Sequence, residues 1–205
     1  MQFPDTRILI FAKAPEPGYV KTRLIPALGA EGAALLYTRL LQQTIESVMA
    51  ADLSSVQLWC APDSTHAFFQ QLASQYDLRL CDQSGADLGE RMRRAADWAL
   101  KESAAVLLIG ADCPLLSGAH LAQALQWLMD GEDAVLGPAE DGGYVLLGLR
   151  QSSAVLFEDM PWGGEQVLEI TRGRLAGSGW CWQELEPLWD IDRPVDFERW
   201  QQQNR

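Results

Sequence analysis

The stretch RILIFAK, residues 7–13, runs directly into APEPGYVKTRL, residues 14–24. Ile8, Leu9, Ile10, Phe11 and Ala12 form an unbroken apolar run without alternation. A strand covered on both faces reads this way, as the parallel strands of α/β proteins do. Pro15, Pro17 and Gly18 then turn the chain out of the strand. A second run of the same kind, AVLLIG at 105–110, leads straight into Ala111, Asp112, Cys113 and Pro114.

Between these runs the pattern switches to a helical period. Leu36, Leu40, Leu41, Ile45, Val48 and Met49 make one stripe within 31–51. The alternation predicts strands at 7–13, 56–60, 78–81, 105–110, 134–137, 144–149 and 180–184. Helices are expected at 31–51, 65–75, 87–101, 117–129 and 164–175, with a last one opened by Pro194. Asp87 and Glu90 stand at capping-box spacing, and Ser117 suits an N-cap. His66 and His120 read as helix-start residues. Residues 151–163 look irregular. Strands alternating with helices predict an α/β fold, three layers around a mostly parallel sheet. The length, 205 residues, suits one domain, and no repeat or linker interrupts it.

The net charge of -12 argues against a nucleic-acid partner, which would need Lys and Arg to neutralise phosphates. It leaves room for a small anionic substrate held by a local basic loop. Cys60, Cys81, Cys113 and Cys181 form no C-x-x-C pair, so mostly buried, reduced thiols in a cytoplasmic protein are expected. No signal peptide is legible at the N-terminus. No apolar run approaches the roughly 18 residues of a membrane span.

Ligands of open parallel sheets bind beyond the carboxyl ends of the strands. Three loops there carry unusual residues. The first holds Lys13, Lys21 and Arg23 within eleven residues of an acidic chain, with Thr22 and Gly18 between them. Fixed positive charge, a hydroxyl and backbone donors suit a diphosphate. Val20 precedes Lys21 where a P-loop has glycine, and no G-x-G-x-x-G follows the strand. A solvated basic turn is the plain alternative.

The second loop sets Asp112 at the end of a buried strand, a costly place for a carboxylate without a cation or donors. Mg²⁺ commonly takes one or two carboxylates and completes its shell with phosphate. A turn or N-cap aspartate is the alternative. A partner carboxylate lies at Asp190 or Asp192, which share one side if the chain there is extended. Asp196 suits the start of the final helix instead.

The third loop, Gly137 to Tyr144, contains Glu140, Asp141, Gly142 and Gly143. Asp141 could orient an acceptor hydroxyl or take its proton. An ordinary hairpin turn is the alternative. Trp162, before Gly163 and Gly164, could stack on a sugar or base or belong to the core. Trp98, Trp127 and Trp200 read as packing residues.

Together, the segments 11–24, 110–114, 137–148 and 190–192, with Leu88-Gly89-Glu90-Arg91-Met92 and Trp162-Gly163, resemble a bacterial family of predicted transferases. That family was once filed as a domain of unknown function. It is now labelled as arsenosugar-biosynthesis glycosyltransferases or radical-SAM-associated transferases. The resemblance implies the glycosyltransferase A-type, nucleotide-diphospho-sugar transferase fold. It implies Mg²⁺ (or Mn²⁺) on Asp112 and Asp192, and nucleotide phosphates on Lys13, Lys21 and Arg23, with Ala12, Gly18 and Thr22 in the same nucleotide-binding loop. Leu88 and Gly89 would lie beside the nucleoside. Asp141, Gly142, Gly143, Tyr144 and Trp162 would form the acceptor site. Lys21, Arg23, Asp112 and Asp141 would carry the chemistry. Ala111, Val145 and Arg193 depart from the family pattern without removing a candidate ligand.

The expected partners are therefore a nucleotide or nucleotide sugar and a small acceptor. Glycosyl transfer from a nucleoside-diphosphate sugar is the first expectation. Nucleotidyl transfer with pyrophosphate release is the second, and a non-catalytic sugar-nucleotide sensor the third.

Overall fold

The computed structural model describes residues 1–203. Its strands are β1 (Thr6–Lys13), β2 (Ser55–Ala61), β3 (Arg79–Asp82), β4 (Ala105–Ile109), β5 (Ala134–Pro138), β6 (Tyr144–Leu149) and β7 (Trp182–Glu184). The helices are α1 (Ile25–Ala51), α2 (Ala67–Tyr76), α3 (Leu88–Ala99), α4 (Gly118–Asp130), α5 (Val167–Gly177) and α6 (Pro194–Gln203). The strands form one sheet in the order β3-β2-β1-β4-β6-β5-β7. All pair in parallel except β6, which runs antiparallel to both β4 and β5.

Side chains alternate across the strands and so feed two cores. Ile8, Ile10 and Ala12 of β1 face a cluster with Tyr37, Leu41 and Ile45 of α1, Phe69 of α2 and Leu121 and Leu125 of α4. Leu9 faces the other side, with Met92, Ala95 and Ala96 of α3 and Leu168 and Leu175 of α5. This two-sided burial is why the β1 run shows no polar alternation. A third cluster joins Leu36 and Leu40 of α1 to Trp189 and Ile191, with Phe197 and Trp200 of α6 packed on it.

The helix starts follow side-chain chemistry. His66 Nδ1 accepts from the Phe68 N–H, and His120 completes a capping box with Ser117. Asp87 accepts from the Glu90 N–H, while Glu90 reaches Ala86 rather than Asp87. Asp196 accepts from the N–H groups of Asp192 and Arg193, closing the start of α6. Cys60 and Cys113 are buried, but Cys81 is half-buried and Cys181 exposed, so burial is less general than expected.

Some boundaries differ from the sequence expectation. A 3₁₀ turn, Thr22–Leu24, leads into α1, which is broken at Gly29 (φ 70°, ψ 167°). The regular helix that carries the apolar stripe thus follows that glycine. Gly163 and Gly164 belong to a turn, so α5 begins later, at Val167. Segment 22–51 is, by length and composition, apolar enough to cross a membrane, contrary to expectation. Its break at Gly29 and its Leu41–Ile45–Val48 face packed on the sheet make it a core helix here.

Candidate active site at the carboxyl ends of β1 and β4

Backbone bonds far apart in sequence assemble the site. The Leu188 N–H donates to Pro138 O and the Glu140 N–H to Leu188 O, both at 2.9 Å. The Ile191 N–H donates to Asp112 O at 3.1 Å. The segment after β7 is thereby strung beside the ends of β5 and β4. Asp190 and Asp192 come to lie next to Asp112, all three on one cavity.

Lys21 completes the cluster. Its backbone is left-handed (φ 47°, ψ 42°), uncommon for a residue with a side chain. Its side chain is only 4% exposed, and Nζ lies 2.8 Å from Asp112 Oδ2 and 3.9 Å from Asp192 Oδ1. Arg23 forms a second ion pair with Asp192. Burial pulls the Lys21 ammonium toward neutrality, but Asp112, then Asp192 and Asp190, outweigh it and its pKa rises. Desolvating an ammonium costs several kcal/mol, so its pairing with two carboxylates is what keeps it charged here.

Negative charge is nevertheless in excess. Asp190 is pushed up to about 7, first by burial and then by the charge of Asp112. The donor chemistry fits a hard divalent cation, since carboxylate oxygens of Asp112 and Asp192 converge around one point charge. Among the described residues no group of three His, Cys, Asp or Glu side chains could hold a metal by itself. A cation at Asp112 and Asp192 would take its remaining ligands from phosphate or water.

The cleft has two lobes sharing Phe11, Arg23, Leu88, Gly110, Asp112 and Asp192. The first, about 440 Å³, is lined further by Ala12, Lys13, Lys21, Thr22, Tyr37 and Gln83. The second, about 340 Å³, is lined by Asp141, Gly143, Tyr144 and Trp162, together with Asp190. Tyr144 and Trp162 meet edge to face with centroids 6.4 Å apart.

Three expected site residues line neither lobe. Gly18 (φ 87°) shapes the turn before Lys21. Gly142 is pressed against the Glu165 backbone, and its carbonyl accepts from the Leu168 N–H at 2.9 Å. Gly89 is a notch: a Cβ there would lie 2.5 Å from Phe157 O and 2.6 Å from Trp162 Nε1. Tyr37 and Gln83 are among the lobe residues that the sequence does not mark. Tyr37 Oη accepts from the Lys13 N–H at 2.8 Å and anchors the end of β1. The Gln83 amide donates to Ala12 O at 3.0 Å and Trp59 O at 2.8 Å. Neither sits in a local pattern that would reveal it.

The sequence matches, over residues 44–164, a family described as an uncharacterized protein conserved in bacteria (DUF2064). The chain belongs to this family. A provisionally assigned nucleotide-diphospho-sugar transferase from Desulfovibrio desulfuricans G20 is 31% identical. That similarity covers 93% of this chain and 83% of the other, with a TM-score of 0.84. A Methanothermobacter nucleotidyl transferase shares the fold at 17% identity and TM-score 0.64, with 97% and 96% of the two chains covered. Glucosyl-3-phosphoglycerate synthase from Mycobacterium tuberculosis, solved with Mn²⁺ and UDP, does so at 12% identity and TM-score 0.58, with 96% and 75% covered. No curated protein matches the sequence. The fold is thus that of nucleotide-diphospho-sugar transferases and nucleotidyltransferases, as the sequence resemblance implied.

Proposed function

We propose that this family member is a cytoplasmic, single-domain, Mg²⁺- or Mn²⁺-dependent glycosyltransferase, moving a sugar from a nucleoside-diphosphate sugar to a small acceptor. The observation that carries this is the Lys21 ammonium set against Asp112 and Asp192 in a two-lobed cleft. Asp112 and Asp192 would hold the cation, which supplies charge neutralisation to the departing diphosphate. Lys21 and Arg23 bind the phosphates and meet the charge that grows as the glycosidic bond breaks. Ala12, Lys13 and Thr22 edge the nucleotide lobe, on the turn set by Gly18. Leu88 stands where the two lobes join, with Gly89 shaping the wall behind it. Asp141 orients the acceptor hydroxyl and receives its proton. Gly143, Tyr144 and Trp162 bound the acceptor, on a loop fixed by Gly142.

The D. desulfuricans relative supports a nucleotide-sugar donor.

Nucleotidyl transfer is the second reading, because Lys21 and Arg23 suit a triphosphate equally well. Product analysis separates the two. Glycosyl transfer releases nucleoside diphosphate from a sugar nucleotide; nucleotidyl transfer releases pyrophosphate from a triphosphate. A thermal-shift screen of nucleotides and sugar nucleotides, with and without Mg²⁺, finds the donor first. A ligand at 100 times its Kd stabilises by about 2.7 kcal/mol. Absence of any Mg²⁺-dependent shift would sink both readings.

A further inference from the structure

The two lobes differ in charge. Lys13, Lys21 and Arg23 edge the first. On the second, Arg23 is the one Lys or Arg lining it among the described residues, and it is already paired with Asp192. Against it stand Asp112, Asp141, Asp190 and Asp192. A divalent cation on Asp112 and Asp192 would be met by the donor's diphosphate and would leave little positive charge for a second anion. Beyond the carboxylates the walls are apolar: Phe11, Met92, Tyr144, Val145, Trp162 and Val167. Tyr144 and Trp162 make an aromatic corner there, and rings and apolar rings-with-hydroxyls are what such a corner accommodates.

We infer that the second lobe takes a neutral, ring-bearing alcohol as acceptor and rejects phosphorylated or carboxylated ones. This rests on the glycosyltransferase reading above. The alcohol oxygen forms a bond to the anomeric carbon of the donor sugar. The bond from that carbon to the diphosphate oxygen breaks, and the nucleoside diphosphate leaves with the electron pair. The hydroxyl proton passes to the Asp141 carboxylate and then to water. An anionic acceptor would have to approach the same carbon past the Asp141 carboxylate, where like charges repel. A phosphate nucleophile, as transfer to a phosphorylated substrate needs, is disfavoured for the same reason.

The test uses the whole chain saturated with Mg²⁺ and the nucleoside diphosphate that the thermal-shift screen selects. Ligand-observed NMR titrations compare 2-phenylethanol, 2-phenylethyl phosphate and 3-phenylpropionate, which share one ring. The alcohol is expected to bind at least tenfold tighter than either anion. Trp162→Ala should weaken the alcohol at least fivefold, and Asp141→Lys, at an exposed position, should cut the preference over the anions at least fivefold. An anion that binds as tightly as the alcohol, or three probes that fail to bind, overturns the inference. So does a preference unchanged by Asp141→Lys, which decides the matter even if Trp162→Ala does not fold. Failure of the underlying reading looks different: no nucleotide stabilises the protein, or pyrophosphate is the product.

Discussion

Lys21 Nζ lies 2.8 Å from Asp112 Oδ2, a residue 91 positions further along the chain. One ammonium, nearly closed off from solvent, ties the loop after β1 to the end of β4 and touches Asp192 as well. The same three groups are the ones proposed to hold the donor's diphosphate and its cation.

Removing that ammonium should destabilise the metal-free protein. Lys21→Met leaves Asp112, Asp190 and Asp192 facing one another without their central counter-charge. A fully buried broken pair costs about 3–5 kcal/mol, and the partial exposure of Asp112 and Asp192 brings the expectation to about 1–3 kcal/mol. Urea unfolding measures it. The loss should shrink when Mg²⁺ is added, because the ion replaces the missing charge; a loss indifferent to Mg²⁺ would speak against a cation at these carboxylates.

Gly89→Ala should disturb the second lobe from behind. The new methyl meets Phe157 O and the Trp162 indole, and the backbone carbonyl has little freedom to yield. Overpacking of this kind costs about 1–3 kcal/mol. Thermal unfolding should show that loss. Acceptor-side binding should weaken more than nucleotide binding, since Trp162 borders only the second lobe. Equal effects on both would mean that Gly89 contacts the nucleoside directly.

Asp196 holds the start of α6 beside a proposed metal ligand. Its carboxylate accepts from the Asp192 N–H at 3.1 Å and the Arg193 N–H at 2.7 Å. Asp196→Ala should cost about 1 kcal/mol in urea unfolding, as loss of a cap does. It should also weaken Mg²⁺-dependent nucleotide binding, because Asp192 loses its backbone anchor. Unaltered nucleotide affinity would separate the cap from the site.

A pH effect is expected away from the cleft. Arg172 donates to both Glu184 oxygens, at 2.8 and 2.6 Å, pinning β7 to α5. The bonds from Arg172 hold the Glu184 carboxyl below its ordinary range, against its partial burial. Its stabilisation is therefore present above the unfolded glutamate pKa of about 4.3 and is lost as pH falls through the lower folded value. Glu184→Gln should be less stable than the parent at pH 7 by about 0.5–1 kcal/mol. Unfolding curves from pH 7 to about pH 3 should show that gap closing. A gap constant over this range would contradict the assignment.

Much of this molecule is legible from local chemistry. The unbroken run of β1 announces burial on two faces, and Ser117, His66 and Asp87 sit where helix starts need them. The antiparallel course of β6 is not legible, because an apolar run buried on both faces reads alike in either direction. The meeting of Asp192 with Asp112 depends on backbone bonds from Leu188 and Ile191 to distant strands, so spacing alone left Asp190 and Asp192 equivalent. The packing of Gly89 is not legible either: its missing side chain leaves room for Phe157 O and the Trp162 indole, which are distant in sequence. Tyr37 and Gln83 act through bonds to backbone groups at the end of β1, which no pattern of neighbours announces.

Isothermal titration calorimetry of nucleoside diphosphates and sugar nucleotides tests the central claim most directly, run with and without Mg²⁺ on the parent chain, Asp112→Asn and Lys21→Ala. The account predicts one nucleotide that binds the parent at least tenfold tighter with Mg²⁺. It predicts loss of that Mg²⁺ enhancement in Asp112→Asn and at least tenfold weaker binding in Lys21→Ala. Tight binding that ignores Mg²⁺ and survives both substitutions would contradict it.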